Sequence, residues 1–251
     1  MLFQEYCRLA CEILYGDTEY QQNKTLITNL FKNTQDVETR LIVIDNLYST
    51  NLSKRFFGFH DLADSINSLG NDDLVKVKIS NYLMNCDQDI DRVFSRTYGI
   101  DKKGNSKNHA PSILSKYFYF LSSYAFPIHD SYLIKNIDYI NNYFHIYVYD
   151  ESISLFEKLK YIKTASGCSY DDIDSAIWLY GKLFQGSFSL LVNKNRYLQV
   201  VRESRIDFDV EISPDDLYKA WLFNNENDKV IEKVLGTSFI RFLQETRLII
   251  H

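Results

Sequence analysis

The sequence predicts a mostly α-helical protein, and three observations carry that expectation. Apolar residues recur at three- and four-residue spacing along most of the 251 positions, which places them on one face of a helix. Only 9 glycines and 3 prolines occur, too few for a sandwich or barrel, which needs turn residues about every 8–12 positions. At 45% hydrophobic, 24% charged and 15% aromatic residues, the composition is that of an ordinary globular protein able to bury a sizeable core. Beside the helices, one short strand pair at most is expected.

Leu2 to Leu14 gives the first helix, with Leu2, Tyr6, Leu9, Ala10 and Ile13 on one face, ended by Gly16 and Asp17. A second covers Glu19 to Phe31. Gln35 to Tyr48 follows, with Val37, Leu41, Ile44 and Leu47 at helical spacing, and Arg40 and Asp45 are expected to pair on it. Asp61 to Leu69 is closed by Gly70, which suits the position after a helix end. Asn71 to Arg96 holds one or two more helices. Tyr98 to Pro111, YGIDKKGNSKNHAP, is a polar and basic surface loop. Ser112 to Tyr124 turns Ile113, Tyr117, Phe120, Leu121 and Tyr124 to the core, and Pro127 cannot continue a helix. Ser131 to Tyr149 is helical in pattern, although YFHIYVYD is aromatic and β-branched enough for a strand. Ser152–Thr164, Ser169–Leu183 and Tyr218–Leu235 complete the helices, and Phe208–Ile212 alternates like a short strand. With no repeat or low-complexity linker, a single helical unit over 1–251 is expected.

The net charge of −5 is not that of a generic nucleic-acid binder, but the charge is unevenly spread. Arg96, Lys102, Lys103, Lys107 and Lys116 face only Asp101 between positions 96 and 120, whereas 207–228 carries seven acids against Lys219. An electropositive side and an acidic end follow. Cys7, Cys11, Cys86 and Cys168 show no CxxC spacing and read as small buried residues of a reduced, cytoplasmic chain. Glu5 and Arg8 interrupt any signal-peptide core, and no apolar run reaches the ~18 residues of a membrane span. His60, His109, His129, His145 and His251 have no metal-ligand spacing, so neither metal nor cofactor is expected. The absence of GxxxxGK[ST], GxGxxG and GxSxG motifs sets aside nucleotide triphosphatases, Rossmann enzymes and α/β-hydrolases.

The segment PSILSKYFYFLSSYAFPIHDSY, Pro111–Tyr132, holds two of the three prolines. Asp130 follows a proline turn that fixes its backbone, as a catalytic carboxylate requires. It can equally cap the helix that follows. Lys116 shares its helix with Tyr117 and Phe120, and a surface lysine with its stem along those rings is the structural alternative. His129 beside Asp130 could contact a substrate or be half-buried against Tyr132. Tyr48-Ser49-Thr50-Asn51 precedes Lys54-Arg55-Phe56-Phe57-Gly58. Small polar groups beside basic and aromatic ones suit phosphate and base contacts, or simply a helix-to-helix connection.

Three segments together, VETRLIVIDNLYSTN (37–51), ILSKYFYFLSSYAFPIHDS (113–131) and IDSAIWLYGK (173–182), resemble bacterial proteins with an 8-oxoguanine DNA glycosylase fold. These are distant members of the helix-hairpin-helix DNA glycosylase superfamily, and the resemblance covers about 35–185. It implies a helical catalytic fold in which Asp130 matches the aspartate after the proline loop and Lys116 the lysine of bifunctional members. Asn51 with Ser49 matches the polar turn that fills the gap left by a flipped base, and Trp178 lies on a helix closing the pocket region.

The activity implied is hydrolysis of the N-glycosidic bond of a modified or damaged base in duplex DNA, the nucleotide being flipped out for access. Asp130 would stabilise oxocarbenium charge and orient water. Lys116, if desolvated, would have a lowered pKa and attack C1′, adding lyase activity through a Schiff base. Lys102, Lys103, Lys107, Lys54 and Arg55 would hold backbone phosphates, while Tyr132, Trp178 and His129 would line the base site. Because NHAPSILSK (108–116) lacks Gly-x-Gly, a non-catalytic nucleic-acid-binding or phage-defence protein with the same fold is a competing expectation. The acidic 207–228 region suggests a third, a helical protein-interaction module.

Overall fold

The structure is a computed structural model that describes residues 2–16, 18–85, 87–150 and 152–181. In chain order its helices are α1 (Phe3–Gly16), α2 (Thr18–Asn33), α3 (Val37–Tyr48), α4 (Gly58–Asn67), α5 (Asp72–Asn85), α6 (Gln88–Ser95), α7 (Pro111–Leu121), α8 (Ser131–Phe144), α9 (Leu155–Ser166) and α10 (Tyr170–Gly181). A 3-10 turn occupies Leu52–Lys54. The mostly helical class is the one the sequence predicts. Among the described residues there is no strand, only isolated antiparallel bridges, Phe56 with Ile100 and Ile100 with Ser106. Phe208–Ile212, Tyr218–Leu235, the acidic 207–228 region and Cys86 lie outside the described residues. No helix among the described residues is long and apolar enough to cross a membrane.

The described residues divide into two compact units, one drawn from 2–21, 132–168 and 172–181, the other from 22–131 and 169–171. In the second unit α3 packs on α4 and α7, and α5 packs on α6 and α7. The centre of this unit is α7, whose residues Ile113–Leu121 are all buried. A helix apolar on nearly every side is satisfied only by packing on every side, so the single core face expected for it is too narrow a description. Pro111 begins α7 at its first turn, where a missing N–H is harmless. The helix stops at Leu121, earlier than the sequence predicts. Ser123 (φ 54°) and Tyr124 (φ 71°) turn left-handed, and the Tyr124 N–H closes onto the Tyr119 carbonyl at 2.7 Å.

Two polar groups pin the second unit from inside. Arg40, fully buried on α3, donates to both Asp72 oxygens (2.8 and 2.7 Å), the Tyr117 hydroxyl (3.1 Å) and the Phe31 carbonyl (2.9 Å). The expected pairing of Arg40 with Asp45 does not occur. Five residues on a helix are separated by about 140°, so the two side chains leave α3 in different directions. Lys24 is buried too, donating to both oxygens of Asp171 at 2.7 and 2.9 Å. The Asp171 carboxylate also accepts from the Tyr119 hydroxyl, and the Lys24 ammonium lies 4.5 Å from the Tyr124 ring.

In the first unit Phe3 and Tyr6 pack on Phe144 with ring centroids 5.4 and 5.3 Å apart, and the Tyr6 hydroxyl donates to the Ala176 carbonyl at 2.7 Å. Cys7 and Cys168 are buried free thiols. Helix α9 opens with a reciprocal Ser154–Glu157 capping box and closes at Gly167 (φ 72°), the left-handed position that favours glycine. The helix expected through Tyr149 ends at Phe144, and the following residues form no strand. Asn141 accepts from the Tyr147 N–H (3.1 Å) and donates to its carbonyl (2.8 Å). One side-chain amide thus meets the pairing needs that a neighbouring strand would otherwise serve.

Candidate functional site

Lys116 sits at the sixth position of α7 and only 4% of it is exposed. Burial on all sides of this helix therefore carries the lysine inward, and the surface-lysine alternative does not describe it. Its ammonium donates to Ser112 Oγ, one turn back, at 2.9 Å, and lies 5.7 Å from the ring of Tyr48, the last residue of α3. At that range, near the ~6 Å limit for a cation over a ring, the attraction is at the weak end, about 0.5–1 kcal/mol.

The turn 125–130 brings Asp130 to the same helix. Phe126, Pro127 and Ile128 are buried, and the His129 N–H donates to Ser115 Oγ at 2.8 Å. Ser115 precedes Lys116 and His129 precedes Asp130, so this one bond ties the two segments together. Asp130, half-buried, stands immediately before α8 in the position of a cap. Burial pushes the His129 imidazole below its ordinary value. The Lys116 charge lowers it further and the Asp130 carboxylate opposes both. His129 is therefore neutral at neutral pH.

The loop between α3 and α4 has an unusual backbone. Ser49 (φ 49°), Asn51 (φ 64°) and Phe57 (φ 59°) are all left-handed and all exposed. Each such residue other than glycine costs of order 1–3 kcal/mol and persists only when its surroundings enforce it. For Ser49 and Asn51 enforcement comes from Asp45, buried at the end of α3, which accepts from the Thr50 hydroxyl, the Leu52 N–H (2.8 Å) and the Ser53 N–H (2.9 Å). Burial alone would raise the Asp45 carboxyl, but these hydrogen bonds outweigh it and hold the carboxyl below its usual range. Asn51 donates back to the Ser49 carbonyl at 3.1 Å.

Lys54, Lys102 and Lys103 are exposed, and none makes an ion pair among the described residues. Lys107 is half-buried, its N–H bonded to the Gly99 carbonyl at 2.9 Å. Arg55, also expected to hold phosphate, is half-buried. Its guanidinium donates to the Asn108 (2.8 Å) and His109 (3.3 Å) carbonyls and so fastens the basic loop ahead of α7. Tyr132 and Trp178 fall in the first unit. Trp178 meets the Tyr20 ring at 5.6 Å, and Tyr132 packs on Gly181, where an added Cβ would come within 2.6 Å of its ring.

The structure thus gathers Lys116, His129 and Asp130 with Tyr48, which the polar turn after α3 already singled out, and with Ser112 and Ser115, two groups that sequence reasoning missed. No local pattern marks Ser112 or Ser115, although their spacing from Lys116 on one helix could have suggested the first. An open cavity of about 680 Å³, lined by Thr28, Phe31, Lys32, Asp72, Phe120 and Tyr124 among others, includes neither Lys116 nor Asp130. Among the described residues no group of three or more His, Cys, Asp or Glu side chains is placed to hold a metal. Comparison with protein-family models, curated proteins and solved structures finds no match to this chain.

Proposed function

We propose that this chain is a DNA glycosylase-like protein of the helix-hairpin-helix superfamily, breaking the N-glycosidic bond of a modified or damaged base. The observation that carries the reading is the Ser115–His129 hydrogen bond, 2.8 Å long, which draws Asp130 toward a helix bearing a lysine that is 4% exposed. A lysine nucleophile reacts as a neutral amine, so the Lys116 ammonium that donates to Ser112 must give up a proton before it attacks. Its lone pair forms the N–C1′ bond as the base departs with the glycosidic electron pair and a proton. Loss of the ring oxygen from C1′ then leaves an imine that borohydride reduces to a stable amine. Asp130 acts on the positive charge developing at the sugar and, where water is the nucleophile, orients it.

Ser112 and Tyr48 favour a second reading. A lysine already donating at 2.9 Å to its own helix also suits a non-catalytic nucleic-acid-binding or defence protein that has kept the scaffold. Incubation of the full chain with duplexes carrying single modified bases, followed by alkali and by parallel borohydride trapping, separates the two. Base release by wild type but not Asp130→Asn, with an adduct lost in Lys116→Gln, is the expected result. Binding without release, unchanged in Asp130→Asn, leaves the second reading. No binding at low salt overturns both.

A further inference from the structure

Phe56 and Phe57 are 54% and 68% exposed, adjacent in sequence and without ring partners among the described residues. The Phe57 backbone is left-handed, yet the residue stays largely exposed. That conformation is held from several sides. Phe57 caps α4 through its carbonyl, which accepts from the Asp61 N–H at 2.9 Å, and the Gly58 N–H closes onto the Arg55 carbonyl at 3.3 Å. Phe56 exchanges both backbone hydrogen bonds with Ile100, at 3.1 and 3.0 Å. Gly99 is required beneath it, because a Cβ there would stand 2.7 Å from the Phe56 carbonyl oxygen.

The basic loop is built onto the same ladder. Ile100 bridges Ser106 in turn, and the Asp101 carboxylate accepts from the Lys103 (2.8 Å) and Asn105 (3.0 Å) N–H groups, forming a tight tip that presents Lys102 and Lys103. Asp61 accepts from the Gly99 N–H at 3.0 Å. Asp61 and Asp101 therefore brace this backbone, while Lys54 on the Phe56–Phe57 loop and Lys102, Lys103 and Lys107 on the loop paired with it supply positive charge.

We propose that Phe56 and Phe57, with Lys54, Lys102, Lys103 and Lys107, form a platform on which unpaired bases of a DNA strand stack while the lysines hold the flanking phosphates. Charge complementarity chooses the occupant. An apolar protein partner would match the rings alone, whereas nucleic acid offers a π-face beside a phosphate at every step. The platform rests on the nucleic-acid partner of the reading above and is independent of its bond-breaking step.

Fluorescence anisotropy of the full chain with a labelled 12-nucleotide single strand, and with the corresponding duplex, tests it. Phe57→Ala is expected to weaken single-strand binding about 5- to 150-fold, the range equivalent to one lost base stack, and Phe57→Trp to restore it with quenching of the new indole on binding. Lys102→Gln with Lys103→Gln is expected to reduce the slope of log affinity against log salt by about 1.4, two single-strand phosphates. Single-strand binding by Phe57→Ala within twofold of wild type overturns the proposal. So does a wild-type dimer in sedimentation that Phe57→Ala dissociates, which would make the rings a self-association surface. Base release that persists in Phe57→Ala alongside undiminished binding sinks the platform alone, and Phe57-dependent binding without base release sinks only the glycosylase reading.

Discussion

Replacing Arg40 with methionine removes the buried cation that holds together α3, α5, α7 and the Phe31 turn of α2 in the second unit. Methionine refills most of the volume, so the loss is chiefly electrostatic. Taking one partner from a buried ion pair costs about 3–5 kcal/mol, because the other is left behind. Here the partner, Asp72, has a side chain 22% open to water and rehydrates in part, which moves the figure to the lower end. The Tyr117 hydroxyl, fully buried, loses its 3.1 Å donor and adds about 1 kcal/mol. The expected destabilisation in urea titration followed by circular dichroism is therefore about 3–4 kcal/mol. Asp72→Asn should cost less, and the double variant should fall short of the sum by about 1–3 kcal/mol, since the two side chains share one network. A loss below about 1 kcal/mol in Arg40→Met, or strict additivity, refutes the view that this pair fastens α7 from behind Lys116.

Other outcomes follow from the geometry. Ser115→Ala leaves the His129 N–H without its acceptor and should cost about 1–2 kcal/mol, with faster amide exchange at His129 than at Phe120 as the readout. In an NMR titration His129 should titrate below the free-histidine value. Lys116→Met should raise that midpoint and Asp130→Asn lower it, because Lys116 opposes and Asp130 favours the imidazolium; unchanged midpoints would show that these groups are not neighbours. The sign for stability is set by the lowered folded value. His129 contributes fully above about pH 6.5, the unfolded value, and the contribution is lost as pH falls through the folded value, because the unfolded chain takes the proton first. Gly99→Ala combines φ +67° with the 2.7 Å approach to the Phe56 carbonyl. It should lower thermal stability and release the Phe56 N–H to exchange; a wild-type melting temperature would contradict the close packing of that ladder.

Much of the helical framework was legible because its signals are local. The helix expected to end at Leu69 is there but stops at Asn67 with Ser68 as its cap, so Gly70, at φ +115°, closes the turn after the helix; the polar run at 98–110 is irregular as its composition requires. The misreadings share a cause, which is a partner from outside the local pattern. Tyr147 escapes a strand because Asn141 satisfies its backbone, and α4 begins at Gly58 rather than Asp61 because Phe57 adopts a left-handed cap. Asp45 turns to a loop instead of Arg40, and Arg55 braces the backbone of the loop ahead of α7. For the candidate site, the segment Pro111–Tyr132 could be singled out from its prolines and its lysine. The tie between its two ends could not, because a serine hydroxyl meeting a backbone N–H fourteen residues away leaves no mark on composition or spacing.

The Lys24–Asp171 pair bears on the order in which the chain can fold. Its members are 147 positions apart, and Asp171 joins the second unit through the three-residue stretch 169–171 alone. A nascent chain that has emerged only to residue 131 already contains every helix of that unit, yet must bury the Lys24 ammonium without this carboxylate. A fragment cut at the same point inherits the same defect. Closing so long a loop is slow and entropically opposed, so the last polar bond of the second unit waits until the chain has been made forty residues further.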